Sequence, residues 1–121
     1  MATLSEIREQ TRSQVVEHWK LCEESGLQHT NANRDDVLAV LDRLYDGLAG
    51  IAGRGDEAAL NDLLRTTYGD LDGINEACDG MLLETDEREL LVPIIVGGVE
   101  AAGFDPAAFP DGEPGGEFRN F

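Results

Sequence analysis

Residues 90–102 read Leu90-Leu91-Val92-Pro93-Ile94-Ile95-Val96-Gly97-Gly98-Val99-Glu100-Ala101-Ala102, and Glu100 is the one polar side chain among them. A helix that is apolar on every side belongs inside a protein, whereas a one-sided helix can lie on its surface. The stretch therefore predicts a central hydrophobic helix over about 86–102, with other helices wrapped around it. So short a β-branched run also suits a buried strand, but Pro93 cannot donate to a ladder and argues against a central one. Within a helix the same proline removes a hydrogen bond and crowds the preceding turn, so a kink is expected there.

The ends of this helix carry their own signals. Asp86 and Glu89 resemble a capping box, and Gly103 can take the left-handed position after the last turn, with Phe104 folding back on it. Gly97 and Gly98, followed by Ala101 and Ala102, present small surfaces that a neighbouring helix can approach. A phosphate loop fits far less well, because no clear strand precedes the glycines and no lysine accompanies them.

Upstream, three more periodic segments follow. Leu4, Ile7, Thr11, Val15, Trp19 and Cys22 form one stripe of a helix from Leu4 to Ser25, capped by Thr3 or Ser5 and closed by Gly26. Trp19, the single tryptophan, is expected to anchor it to the core. After a polar loop over 26–33, Asn33 is expected to cap a second helix whose stripe is Val37, Leu41, Leu44, Leu48 and Ile51. Gly55 and Asp56 turn the chain into a third helix, from Glu57 to about Tyr68, which Gly69 is expected to end. Asp70 then opens a short, weak fourth helix with Leu71, Ile74 and Cys78 on its inner side. The expected architecture is all-α: a bundle of four to five helices over 1–103, with a tail over 104–121 docked on it. That tail holds all four phenylalanines, Phe104, Phe109, Phe118 and Phe121, which is not the composition of a disordered segment.

Charge is the strongest compositional signal. The net charge is −16, with 11 acids and 6 bases in residues 1–60 against 14 and 3 in residues 61–121. A field of this sign repels nucleic acid and anionic membrane and favours a basic protein partner. No uncharged run approaches the roughly 20 residues that span a bilayer, and two cysteines without CxxC spacing read as free thiols, so a cytoplasmic location is expected.

Few residues suggest chemistry. His18 and Cys22 are one helical turn apart, a spacing used in metal sites, but a set needs about two more ligands and only His29, Cys78 and carboxylates remain, so a core-edge histidine and a buried thiol are expected, with no metal. The segment from Asp70 to Glu76 fails as a calcium loop, because position twelve is Met81 where a bidentate glutamate is needed. No catalytic triad can be assembled from two histidines and undistinguished serines. The reading is therefore a small acidic binding protein without a cofactor, an inhibitor or immunity-type protein for a basic partner. Its expected binding residues are Asp70, Asp72, Glu76, Asp79, Glu84, Asp86, Glu87, Phe118 and Phe121. The alternatives are a metal-dependent hydrolase using helical carboxylate pairs such as Glu84 with Glu87, and a self-associating homodimer.

Overall fold

The structure, a computed structural model, describes residues 3–121. It is an all-α bundle of four helices, α1 (Leu4–Glu24), α2 (Asn31–Ile51), α3 (Glu57–Ala77) and α4 (Thr85–Ala101), followed by three single 3₁₀ turns. Short connections make successive helices antiparallel. Arg8 on α1 meets Asp42 and Asp46 on α2, while Trp19 reaches Asn33 and Arg43 reaches Asp70 on α3. The α1–α2 and α3–α4 connections therefore lie at the same end of the bundle.

The core is apolar and continuous. Val15 and Trp19 from α1, Val37, Leu38, Val40, Leu41, Leu44, Tyr45 and Leu48 from α2, Leu60, Leu64, Tyr68 and Leu71 from α3, and Leu91, Ile95 and Val99 from α4 are all buried in it. Two helices share the centre. α4 packs on α1, α2 and the first 3₁₀ turn, but α2 is the helix that touches α1, α3 and α4 alike. α4 passes through Pro93, which lies on an exposed side. Gly98 permits the close crossing of α2 and α4: a Cβ there would stand 3.0 Å from both Leu48 Cδ1 and Tyr45 Cζ. Tyr45 uses that approach to donate its hydroxyl to the Ile94 carbonyl at 2.9 Å.

Three expected boundaries are corrected. Helix three does not stop at Gly69, and the separate helix expected from Asp70 is its continuation to Ala77. Gly69 and Gly73 face open space. Leu64, Tyr68 and Leu71 are fully buried on the opposite side, and that burial outweighs a helix cost of about 1 kcal/mol per glycine. The cap of α2 is Thr30, with Asn33 three residues inside: Asn33 N–H donates to Thr30 Oγ1 at 3.1 Å, and Thr30 N–H donates to Asn33 Oδ1 at 3.0 Å. α4 starts at Thr85 rather than Asp86, and the reciprocal residue is Glu87, whose Oε1 accepts from Glu84 N–H at 3.0 Å.

The helix stop at Gly103 is as read. Gly103 has φ +100°, its N–H donates to Glu100 O, and Phe104 N–H reaches back to Val99 O, which satisfies two carbonyls that the helix end leaves open. α1 ends in the same way at Gly26, with Leu27 N–H on Cys22 O. The tail is packed on the bundle. Phe109, Phe118 and Phe121 lie against the core, Arg119 forms a two-point pair with Glu113, and Asn120 donates twice to Asp72.

Candidate metal centre

At the end of the bundle where α1 stops and α4 starts, four potential ligands converge: His18, Cys22, His29 and Glu87. Their donor atoms all lie within 4.8 Å of one another. No other group of three or more His, Cys, Asp or Glu residues among the described residues has such geometry.

Each ligand arrives by a separate local cause. His18 and Cys22 are four apart on α1, so they share a face, and His18 Nε2 lies 3.5 Å from Cys22 Sγ. The turn at Gly26 (φ +78°) reverses the chain and carries it past His29 into the cap of α2. Asn33 holds that connection in place. Its Oδ1 accepts from Trp19 Nε1 at 2.7 Å and from Thr30 N–H, and its Nδ2 donates to Gln28 O at 3.0 Å. The His29 ring then sits edge to face on Trp19, with centroids 4.8 Å apart.

Glu87 enters from the opposite side. Its Oε1 is occupied by the Glu84 N–H, which leaves Oε2 facing the histidines, 2.7 Å from His18 Nε2 and 3.5 Å from His29 Nε2. Zinc bond lengths of about 2.0–2.3 Å imply tetrahedral donor separations of roughly 3.3–3.7 Å. Two of these three contacts to histidine nitrogens, His18 with Cys22 and His29 with Glu87, already have that spacing; the short His18–Glu87 contact needs to open slightly.

His29 is 4% exposed; its Nδ1 has no hydrogen-bond partner and its Nε2 has only the long 3.5 Å approach to Glu87 Oε2, a shortfall that buried polar groups seldom show. Burial lowers the His29 pKa; the Glu87 carboxylate opposes this and the nearby His18 adds to it. His29 is therefore the neutral imidazole that ligates metals. Burial, with Glu87 and Asp86 nearby, raises the Cys22 pKa, so the thiol keeps its proton until a cation replaces it.

The residues expected to bind a partner are dispersed. Glu76, Asp79, Glu84 and Asp86 are exposed and stand in no ion pair with a described residue. Asp70 pairs with Arg43 at 3.3 Å. Asp72 and Glu87 are buried, one under the tail and one in the cluster, and Phe118 and Phe121 pack on the protein's own core. Sequence spacing puts His18 and Cys22 one turn apart with His29 available, yet the expectation of no metal is not what this convergence favours, and Glu87, expected on a partner-binding acidic face, lies inside the cluster. A signal existed: Glu87 is in phase with the buried stripe Leu91, Ile94, Ile95 and Gly98, and read backwards that stripe predicts an inward carboxylate.

Compared with known proteins, the chain matches no family model, no curated protein and no solved structure. Function must therefore be argued from the site itself.

Proposed function

We propose that this protein is a small metal-binding helical bundle, and that His18, Cys22, His29 and Glu87 hold one divalent transition metal, zinc foremost. The observation that carries the proposal is the convergence of four donors around a buried histidine whose ring nitrogens have no hydrogen bond of ordinary length. Two imidazoles, one thiolate and one carboxylate are a borderline-soft set that suits zinc and excludes calcium and magnesium, which take oxygen ligands. Four protein donors form a closed site, the structural type, because a hydrolytic zinc keeps one position for water. The metal's role is then to tie the end of α1, the α1–α2 connection and the start of α4 together. A hydrolase built on helical carboxylate pairs has weaker support: of Glu84, Asp86, Glu87 and Glu89, Glu87 alone points inward.

The test is metal analysis of the purified protein, followed by calorimetric titration of stripped protein with zinc and by the cobalt spectrum. Zinc at one equivalent, with tetrahedral cobalt bands and a sulfur-to-cobalt charge-transfer band lost in Cys22→Ser, is the expected result. Stoichiometric binding that survives both His29→Ala and Cys22→Ser would place the metal elsewhere and end the proposal.

A second reading concerns partners. The exposed, unpaired carboxylates Glu76, Asp79, Glu84 and Asp86 favour a basic protein, in an inhibitor or immunity-type role whose affinity falls with salt. A complex unaffected by salt would count against it.

A further inference from the structure

Beside the metal cluster lies a groove of about 620 Å³ whose walls include Leu27, His29, Met81, Glu84, Asp86 and Glu87. We infer that this groove is a docking site for a basic protein segment that carries a large apolar side chain. The inference rests on the metal reading for one of its walls, and three observations support it.

The first is apolar exposure in the right place. Four large hydrophobic side chains are exposed among the described residues, and two of them, Leu27 at 58% and Met81 at 53%, stand on this one groove. Scattered surface leucines need no explanation, but two that line one concavity differ. They come from different connections, Leu27 after α1 and Met81 after α3, so a bound side chain can be gripped from both sides. The volume falls in the range of real ligand pockets, roughly 300–1,000 Å³.

The second is charge. No Lys or Arg lines the groove, while Glu84 and Asp86 stand on its rim. The complementary occupant is cationic. Anionic lipid and nucleic acid are repelled by the same field.

The third links the groove to the cluster. His29 and Glu87 belong to the groove lining, and ligation of His29 would pin the connection that carries Leu27, so docking requires the metal.

The experiment uses the full chain and a fluorescent peptide of alternating leucine and lysine, with all-lysine and leucine–glutamate peptides as controls. Zinc binding is measured first by calorimetry, so that failure of the metal reading is seen separately from failure of docking. Zinc-loaded protein should bind the leucine–lysine peptide, with amide shifts confined to 26–29 and 81–87. Leu27→Ser with Met81→Ser, or removal of zinc, should weaken it by at least about tenfold. The inference is overturned if the all-lysine peptide binds as well, or if neither the double substitution nor metal removal changes the affinity. Either result would show attraction to the acidic surface at large.

Discussion

His18 and Glu87 are 69 positions apart in the chain, yet His18 Nε2 and Glu87 Oε2 stand 2.7 Å apart across the interface of α1 and α4. The same carboxylate uses its other oxygen to accept from the first turn of α4. One side chain thus belongs to both a helix cap and a ligand cluster, and substitutions can separate the two roles.

Glu87→Gln keeps an oxygen for the Glu84 N–H and loses the anionic donor. Zinc affinity should fall by more than the roughly 10- to 100-fold that follows loss of an outer hydrogen-bond partner, while the unfolding midpoint of stripped protein stays close to that of the parent. Glu87→Ala should lower both, the midpoint by about 1 kcal/mol of lost capping. Calorimetry with zinc and urea titration followed by circular dichroism read the two effects apart.

Asn33 touches no metal ligand through its side chain, but it fastens the connection that carries His29 to Trp19 and Gln28. Asn33→Ala should reduce zinc affinity by about 10- to 100-fold. It should also shift Trp19 fluorescence, because the indole N–H loses its acceptor. Unchanged zinc binding would show that His29 is held by packing on Trp19 alone.

Two buried tyrosines should respond in opposite ways to loss of their hydroxyls. Tyr45 donates to Ile94 O, so Tyr45→Phe should cost about 1 kcal/mol. The Tyr68 hydroxyl is buried without a partner, and Tyr68→Phe should be neutral or stabilise by up to about 1 kcal/mol. Both phenols have pKa values raised by burial above the ordinary 10. The folded state therefore keeps protons that the unfolded chain gives up, so stability is full below about pH 10 and falls as pH rises beyond it. Denaturant titrations at rising pH should show this loss, and it should be smaller in Tyr68→Phe.

Glycines on α3 and α4 make a contrasting pair. Gly69 faces open space, and Gly69→Ala should stabilise the helix by about 0.5–1 kcal/mol. Gly98→Ala would press on Tyr45 and Leu48 at 3.0 Å and should destabilise by about 1–3 kcal/mol. Thermal melts of the two variants test the assignment of the tight crossing.

Helix identity was legible wherever a stripe was long. Thr11, Val15 and Trp19 on α1 and Val37, Leu41, Leu44 and Leu48 on α2 are buried positions that periodicity selects. Glycines misled the reading of α3, because tertiary burial of Tyr68 and Leu71 decides whether the helix crosses Gly69, and no local rule contains that burial. The metal cluster was half legible. The spacing of His18 and Cys22 is written in the chain. The return of His29 depends on Thr30 rather than Asn33 taking the cap, a three-residue shift that moves the end of the connection. Glu87 was obscured by the acidic run around it, in which one inward carboxylate has the same composition as its exposed neighbours.

The order of the donors along the chain has a consequence for biosynthesis. A ribosome delivers His18, Cys22 and His29 with the first helix and its connection, and the fourth donor follows only after α2 and α3 have been made. The nascent protein thus has an incomplete, three-donor half-site from the addition of His29 until that of Glu87. Glu87 closes that half-site in the same movement that begins α4, so tight metal retention would mark a chain whose last helix has come home.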